Sequence, residues 1–499
     1  MERSSGIILH LTSLPSPCGI GDLGSEAYRF ADFLASAGQK CWQILPVGPT
    51  GYGASPYQTL SALAGNPLFI SLEALADQGW LTEKQLRRAR EGHDPEKVDF
   101  SRQETEKMEI LHTAYAEFSK KPPEDYAAFC RAEADWLEDY ALFRALGEHF
   151  GGASWQNWEP CARKRSPEAL SAYRTLLAKE TDFHRFTQYI FFSQWEKWHS
   201  YVRARGIRII GDIPIYVPLD SADVWAMPEQ FLLTPSLRPR VVAGCPPDDF
   251  SADGQRWGNP IYDWNAMEKD GFSWWMRRVG MAARLFDTVR IDHFRGIESY
   301  WAIPARNRTA RAGAWVPGPG MKLIGAIRER FPQTEFIAED LGFLTKKVRK
   351  LVRDSGFPGM KVLEFAFSAN GGNEYVPGKC RGNCVCYTGT HDNMTLPQWV
   401  EACDSGTERY TRHYLHIGQK DDLAAALLRA GMDCGADLFM AQMQDWLGLG
   451  AEARMNEPGT VNDRNWCWRM LPGVADAALA NRLRGMTERA GRCEKEETT

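Results

Sequence analysis

At 499 residues, with 44% hydrophobic and 25% charged side chains, the chain has enough apolar material for a large core, which excludes a disordered or fibrous polypeptide. A net charge of −5 leaves no basic footprint for nucleic acid or another polyanion, so a neutral partner is expected. The apolar run Gly6–Leu11 is broken by His10 and is too short for a secretory segment, no window of about 18 apolar residues occurs, and 12 cysteines are too dilute for a disulfide framework. A cytoplasmic protein with reduced thiols and no membrane span is therefore expected.

Eight short β-branched or apolar runs recur along the chain, each ending at a polar residue, glycine or proline: Gly6–His10, Lys40–Pro46, Ile207–Ile213, Asp287–Asp292, Thr334–Glu339, Met360–Phe367, Cys384–Gly389 and Leu438–Gln444. Helix-period stretches lie between several of them, among them Ser25–Ala37, Met321–Arg330 and Asp421–Ala430. Strand and helix in alternation predict an α/β fold with a parallel sheet, and eight such units predict a closed (β/α)8 barrel. Barrels with insertions reach this length as one unit, so residues 1–499 are expected to form a single catalytic domain.

The spacing of the runs is uneven. Residues 65–200, between the second and third, are rich in helix formers and aromatics and predict a mostly helical insertion. Residues 217–286, between the third and fourth, are rich in Pro, Gly, Trp and Asp; this stretch, Gly244–Pro260 included, predicts a loop region above one end of the barrel. Only the tail after Gly491 has the composition of a disordered segment.

Four acids stand at the ends of four of the strands: Asp212, Asp292, Glu339 and Asp392. In a barrel that end carries the catalytic groups, so the four are expected to converge, whereas a lone strand-end Asp would read as a helix cap or turn. Several carboxylates without an evident metal suit glycosidic bond cleavage, in which one attacks or stabilises the anomeric carbon and a second, protonated, donates to the leaving oxygen. Arg290 lies two residues before Asp292 and so on the same strand face, where its fixed charge would favour the ionised nucleophile. By the same period Glu335, Ile337 and Glu339 share the inner face.

Eighteen Trp and sixteen Tyr also fit a sugar ligand, since aromatic faces suit the C–H faces of glucose units. Tyr52, Tyr57, Trp225, Trp257, Trp264, Trp301 and Trp315 all fall in segments that read as loops. Cys380, Cys384 and Cys386 form the one cysteine cluster. A zinc site would need a second ligand pair that the sequence does not offer, and period two places Cys384 and Cys386 together as small core residues. No metal or other cofactor is expected.

Seven blocks resemble, in order, the signature segments of the amylomaltases, the 4-alpha-glucanotransferases of glycoside hydrolase family 77 type. They are Gly-Tyr-Gly-Ala-Ser-Pro-Tyr-Gln from Gly51, Ala-Gly-Asn-Pro from Ala64, Gly-Asp-Ile-Pro-Ile-Tyr-Val from Gly211, Gly-Gln-Arg-Trp-Gly-Asn-Pro from Gly254, Val-Arg-Ile-Asp-His-Phe-Arg-Gly from Val289, Ala-Glu-Asp-Leu-Gly from Ala338, and Tyr-Thr-Gly-Thr-His-Asp-Asn from Tyr387. The likeness implies a retaining glucanotransferase on a (β/α)8 barrel with loop subdomains, without a C-terminal β-sandwich and without required calcium. It makes Asp292 the nucleophile, Glu339 the acid/base and Asp392 the carboxylate that holds sugar hydroxyls. Asp212, Arg290, His293 and His391 match residues around the reacting glucose. Tyr57, Trp257 and the segment 246–254, with Asp249 and Phe250, match the aromatic and lid positions. Tyr52 and Asn393 complete the substrate-binding candidates. The sequence departs from the family at Asp248-Asp249-Phe250, where the family commonly reads Pro-Pro-Asp-Tyr or Pro-Pro-Asp-Ala, and this bears on acceptor preference and product size.

The implied partners are α-1,4-glucans and malto-oligosaccharides, acted on by a monomer or weak homodimer. An α-amylase-like hydrolase is the nearest alternative, although the third run continues Pro-Ile-Tyr-Val where amylases carry Asn-His. A non-catalytic glucan-binding protein would need none of the four acids.

Overall fold

Eight short parallel strands close into a barrel in the computed structural model, which describes residues 1–247, 251–342 and 344–494. They are Ser4–Ile8, Cys41–Gln43, Arg208–Ile213, Thr288–Ile291, Glu335–Ala338, Gly359–Val362, Arg381–Tyr387 and Gly435–Gln442. Each pairs with its neighbours in chain order until the eighth returns to the first, and each overlaps one of the eight runs. Strands covered on both faces read as near-continuous apolar runs, which is why they were visible.

Alternate residues of these strands build two separate apolar layers. Ile8, Ile210, Ile337, Met360, Val362, Val385, Leu438 and Met440 fill the barrel, while Ile7, Ile209, Val289, Phe336 and Phe439 pack outward beneath the helices. At Gly211 a Cβ would lie 2.1 Å from the ring of Phe286, so only glycine lets that ring close against the third strand beside Asp212.

The region between the second and third strands is helical, as the sequence suggests, with helices running from Leu72–Asp77 to Ala178–Ala204. Polar caps start them: the Asp99 carboxylate accepts the Arg102 N–H ahead of Phe100–Phe118, and the hydroxyl of Thr82 caps Glu83–Ala89 in a capping box with Gln85. The long helix Ala178–Ala204 ties this insertion to the barrel. Its buried Trp198 meets Trp42 of the second strand edge-on at 5.2 Å.

The stretch after the third strand departs from expectation. Val241–Cys245 and Gln255–Pro260 are strands, and with Ser299–Pro304 and Ala314–Pro317 they make a four-stranded antiparallel sheet. Trp257, Trp301 and Trp315 therefore sit on strands rather than loops, and Trp225 and Trp264 sit on the helices Ala222–Ala226 and Trp264–Lys269. Trp225 is fully buried, a core residue whose ring is covered by the Arg165 guanidinium at 4.2 Å.

The C-terminal segment is a second correction. Arg492 is 1% exposed and donates to the carbonyls of Met432, Ser4 and Cys434, so chain order persists past Gly491; residues 495–499 lie outside the described residues. Among the described residues, helices and no strand follow the eighth barrel strand. Cys380, Cys384 and Cys386 are buried in the layer outside the barrel, and among the described residues no group of three or more His, Cys, Asp or Glu could hold a metal. No helix of the described chain is long and apolar enough to cross a membrane.

Candidate active site

Register places the central pair. The third and fourth strands align Asp212 with Arg290, and because residues two apart share a face, Arg290 and Asp292 point the same way. Arg290 is 3% exposed and its Nη1 donates to Asp212 Oδ2 at 2.5 Å and approaches Asp292 Oδ1 at 3.0 Å. The ladder continues past the strand ends: Asp292 N donates to Ile213 O, and Glu339 N to Ile291 O, so backbone hydrogen bonds fix where both acids begin. The next backbone bond, from Phe294 N to Glu339 O, turns the chain sharply at His293, which takes the left-handed φ of 49°.

Glu339 is 8% exposed, with one oxygen accepting Leu341 N–H at 2.8 Å. Burial and the neighbouring Asp292 push its carboxyl up to about 8, against Arg290 and the Leu341 amide. Asp292 rises less, to about 6: burial and the charges of Asp212 and Asp392 raise it, while Arg290 and His391 oppose them. Arg290 thus limits the rise rather than cancelling it. The two acids titrate as a pair in which Asp292 ionises first and Glu339 keeps the proton.

Asp392 enters from the turn after the seventh strand. Burial alone would raise it, but His391 and the Asn456 amide, which donates to Oδ1 at 2.6 Å, hold it down at about 2. His391 Nε2 lies 3.4 Å from the other oxygen. The Arg454 guanidinium also donates to the Asp392 backbone carbonyl at 3.2 Å.

Aromatic rings border the acids. Tyr57 donates its hydroxyl to Asp212 Oδ2 at 2.6 Å and stacks on His391 at 5.1 Å, and Trp466 tilts against both rings at 5.9 Å. On the other side Trp257 meets His293 edge-on at 4.8 Å. Burial and Arg295 push His293 down to about 3, so it is neutral at any working pH. Tyr52 stands 77% exposed on the short turn that precedes Tyr57.

Among the sequence-derived candidates the structure therefore groups Asp212, Arg290, Asp292, Glu339, His391, Asp392 and Tyr57, with His293 and Trp257 beside them. Asn393 differs: it is 8% exposed and its Oδ1 accepts both Thr390 N–H and the Thr390 hydroxyl at 2.9 Å, so its oxygen is spent inside its own turn. Asp249 and Phe250 lie outside the described residues. Asn456, Arg454 and Trp466 were missed. The turn residues Pro458 and Gly459 just after Asn456 do mark a loop at the catalytic end of the eighth strand, and that was the available signal.

A (β/α)8 barrel with a coupled carboxyl pair, a third acid and flanking aromatics defines the class of carbohydrate-active barrel enzymes. The family model described as 4-alpha-glucanotransferase, glycoside hydrolase family 77, matches residues 9–474, and the chain belongs to that family. It is 46% identical to the 4-alpha-glucanotransferase of Thermus thermophilus, covering 98% of this chain and 99% of the relative, and 43% identical to that of Clostridium butyricum, covering 97% and 100%. Among solved structures, an amylomaltase from Streptococcus agalactiae in complex with acarbose superposes with a TM-score of 0.96 at 38% identity, over 99% of this chain and 100% of the other.

Proposed function

We propose that this glucan-transferring enzyme moves segments of α-1,4-glucan from a donor to an acceptor glucan by retaining double displacement. The Asp292 carboxylate attacks the anomeric carbon of the donor while the Glu339 proton passes to the glycosidic oxygen, releasing the reducing-end fragment and leaving a glycosyl ester on Asp292. The 4-hydroxyl of an acceptor then gives its proton to Glu339 and attacks the same carbon, and Asp292 leaves as carboxylate. Asp392 holds sugar hydroxyls beside the reacting carbon. Asp212, Arg290, His293 and His391 surround that ring, and Tyr57 and Trp257 present aromatic faces to the chain. In this reading Tyr57, Trp257 and Phe250 build the acceptor subsite, and Tyr52 and Asp249 are further substrate-binding candidates.

The observation that carries this reading is the geometry at adjacent strand ends, where Arg290 reaches Asp292 at 3.0 Å and Glu339 stands buried at the end of the next strand, its carboxyl pushed up to about 8 by burial. Glucose units are neutral, which agrees with the net charge of −5. Water competes with the acceptor for the ester, but an oriented hydroxyl reaches effective molarities on the order of 10⁵ M, which outweighs bulk water wherever an acceptor is bound.

Maltotriose alone tests the reading. The expected products are glucose and a ladder of longer linear glucans with total reducing ends nearly constant, since each bond broken is replaced by one formed. A steady rise in reducing ends with no product longer than the substrate would leave a hydrolase instead.

A further inference from the structure

Two more buried carboxyl groups lie beneath the turn that carries Asp392, and the reaction just described uses neither. Asp445, just past the eighth strand, accepts the Thr388 hydroxyl at 2.6 Å and Leu396 N–H at 2.7 Å, pinning both ends of the turn. Glu364, just past the sixth strand, reaches its middle: its own N–H donates to Thr388 O at 3.3 Å, and its carboxyl faces Met394 N–H and the Asn393 amide. The fit is tight: at Gly389 a Cβ would stand 2.3 Å from Glu364 Oε1. Asn393 passes the restraint on, because its Oδ1 takes Thr390 N–H and the Thr390 hydroxyl, and that hydroxyl in turn accepts Asp392 N–H at 3.3 Å.

We propose that Glu364 is a positioning residue of the transfer reaction, bracing from below the turn that aims Asp392 at the sugar. This rests on the role given to Asp392 above. Glu364 braces as a neutral carboxyl: burial and then the charge of Asp445 hold it well above the usual carboxylate range, outweighing Arg454 and its two donors. Its Oε1 finds no hydrogen-bond partner among the described residues, so an ionised carboxylate would carry an uncompensated charge 8% exposed beside Asp445. Bracing of this kind acts on rate more than on affinity, because the turn meets the glucan at the reacting ring alone, through His391 and Asp392.

Steady-state kinetics on maltotriose with three variants tests this. Glu364→Ala should lower kcat by roughly 10- to 100-fold, the scale of a 1 Å misplacement of a reacting group, with KM within about 3-fold. Glu364→Gln keeps size and neutrality and should bring kcat back to within about 3-fold of the parent. Gly389→Ala drives a methyl group into the Glu364 carboxyl and should reproduce the kcat loss, which keeps the test open if Glu364→Ala does not fold. A parental kcat in Glu364→Ala overturns the proposal. So does a Glu364→Gln as impaired as the alanine variant, or a loss of kcat that disappears when rates are corrected for the folded fraction. Asp292→Asn in the same assay separates the two readings. An active Asp292→Asn sinks the mechanism itself, whereas an inactive Asp292→Asn beside a parental Glu364→Ala sinks only the brace.

Discussion

The cleft acids and the acids beneath them occupy the same end of the barrel but keep different company. In the cleft, Asp292 and Asp392 leave 27% and 44% of their side chains exposed, and what holds them is other side chains: Arg290, His391 and Asn456. One layer down, Asp445 and Glu364 are 4% and 8% exposed, and their donors are mostly backbone N–H groups. Side-chain cations hold a charge in place while leaving oxygen lobes open to a ligand. Backbone donors consume those lobes and fix the shape of the chain instead. The difference separates the acids proposed to do the chemistry from those that hold the turn, and Glu339, as buried as the second pair, is placed with the first by the neighbouring Asp292 and Arg290 that set its protonation.

The largest effect expected from that division is at Asp292. Asp292→Asn removes the proposed nucleophile with almost no change in contact area, so transfer should fall by on the order of 10⁴-fold or more while maltoheptaose binding, followed by tryptophan fluorescence, persists. Residual turnover of a few per cent would move Asp292 out of the first group.

Glu339→Gln comes next, with a loss of at least about 100-fold, the usual contribution of a general acid. The pH profile sharpens this. Because Asp292 must be ionised and Glu339 protonated, kcat/KM of the parent should rise as pH climbs through about 6 and fall as it passes about 8. Those values belong to the pair, and in Glu339→Gln the falling limb should vanish while the rising limb stays near pH 6, because Glu339 is still protonated when Asp292 ionises. A falling limb that survives in the variant would assign it to another group.

A smaller loss is expected at Asn456, which stands between the two groups because it orients a cleft acid without touching the reacting carbon. Removing one hydrogen bond to a charged oxygen costs about 1.5–3 kcal/mol, so Asn456→Ala should lower kcat by roughly 10- to 100-fold. His391 still opposes protonation of Asp392, so the profile between pH 6 and 8 should keep its shape. A loss confined to KM would make Asn456 a sugar ligand instead.

How much of this the sequence revealed follows from what each feature depends on. The barrel strands were legible because burial on both faces leaves an unbroken apolar run, and the helices after the second strand because that stretch is rich in helix formers. The four-stranded sheet was not, since Gly244, Pro260, Pro304 and Pro317 sit at strand positions where such residues normally signal a turn. Arg492 read as tail because a charged residue near a terminus is usually solvated, and only the convergence of four carbonyls far from it in sequence, those of Ser4, Met432, Cys434 and Asp437, buries it. The acids Asp212, Asp292, Glu339 and Asp392 were readable from their places at strand ends. Glu364, Asp445 and Asn456 occupy similar places, but their partners come from turns whose course no local pattern fixes.

The smallest effect should come from Asp445, and it should appear in stability rather than in rate. Burial raises its carboxyl to about 6, against its donors Thr388, Leu396 and Gln442. The folded value lies above the unfolded one, so between roughly pH 4 and 6 the folded chain keeps a proton that the unfolded chain has released. Stability from this group is therefore complete below about 4 and is lost as pH rises to about 6, a change on the order of 3 kcal/mol for two pH units. Asp445→Asn cannot titrate. Its amide oxygen can accept Leu396 N–H, and its NH₂ can face the Thr388 hydroxyl, which rotates from donor to acceptor. Urea denaturation of the variant should therefore show a flatter dependence on pH over this interval than the parent, and transfer at pH 7 should stay within about 3-fold of the parent. Parallel stability curves for the two proteins would mean that Asp445 is already ionised at pH 4 in the folded state, and the layer beneath the cleft would then carry charge much as the cleft does.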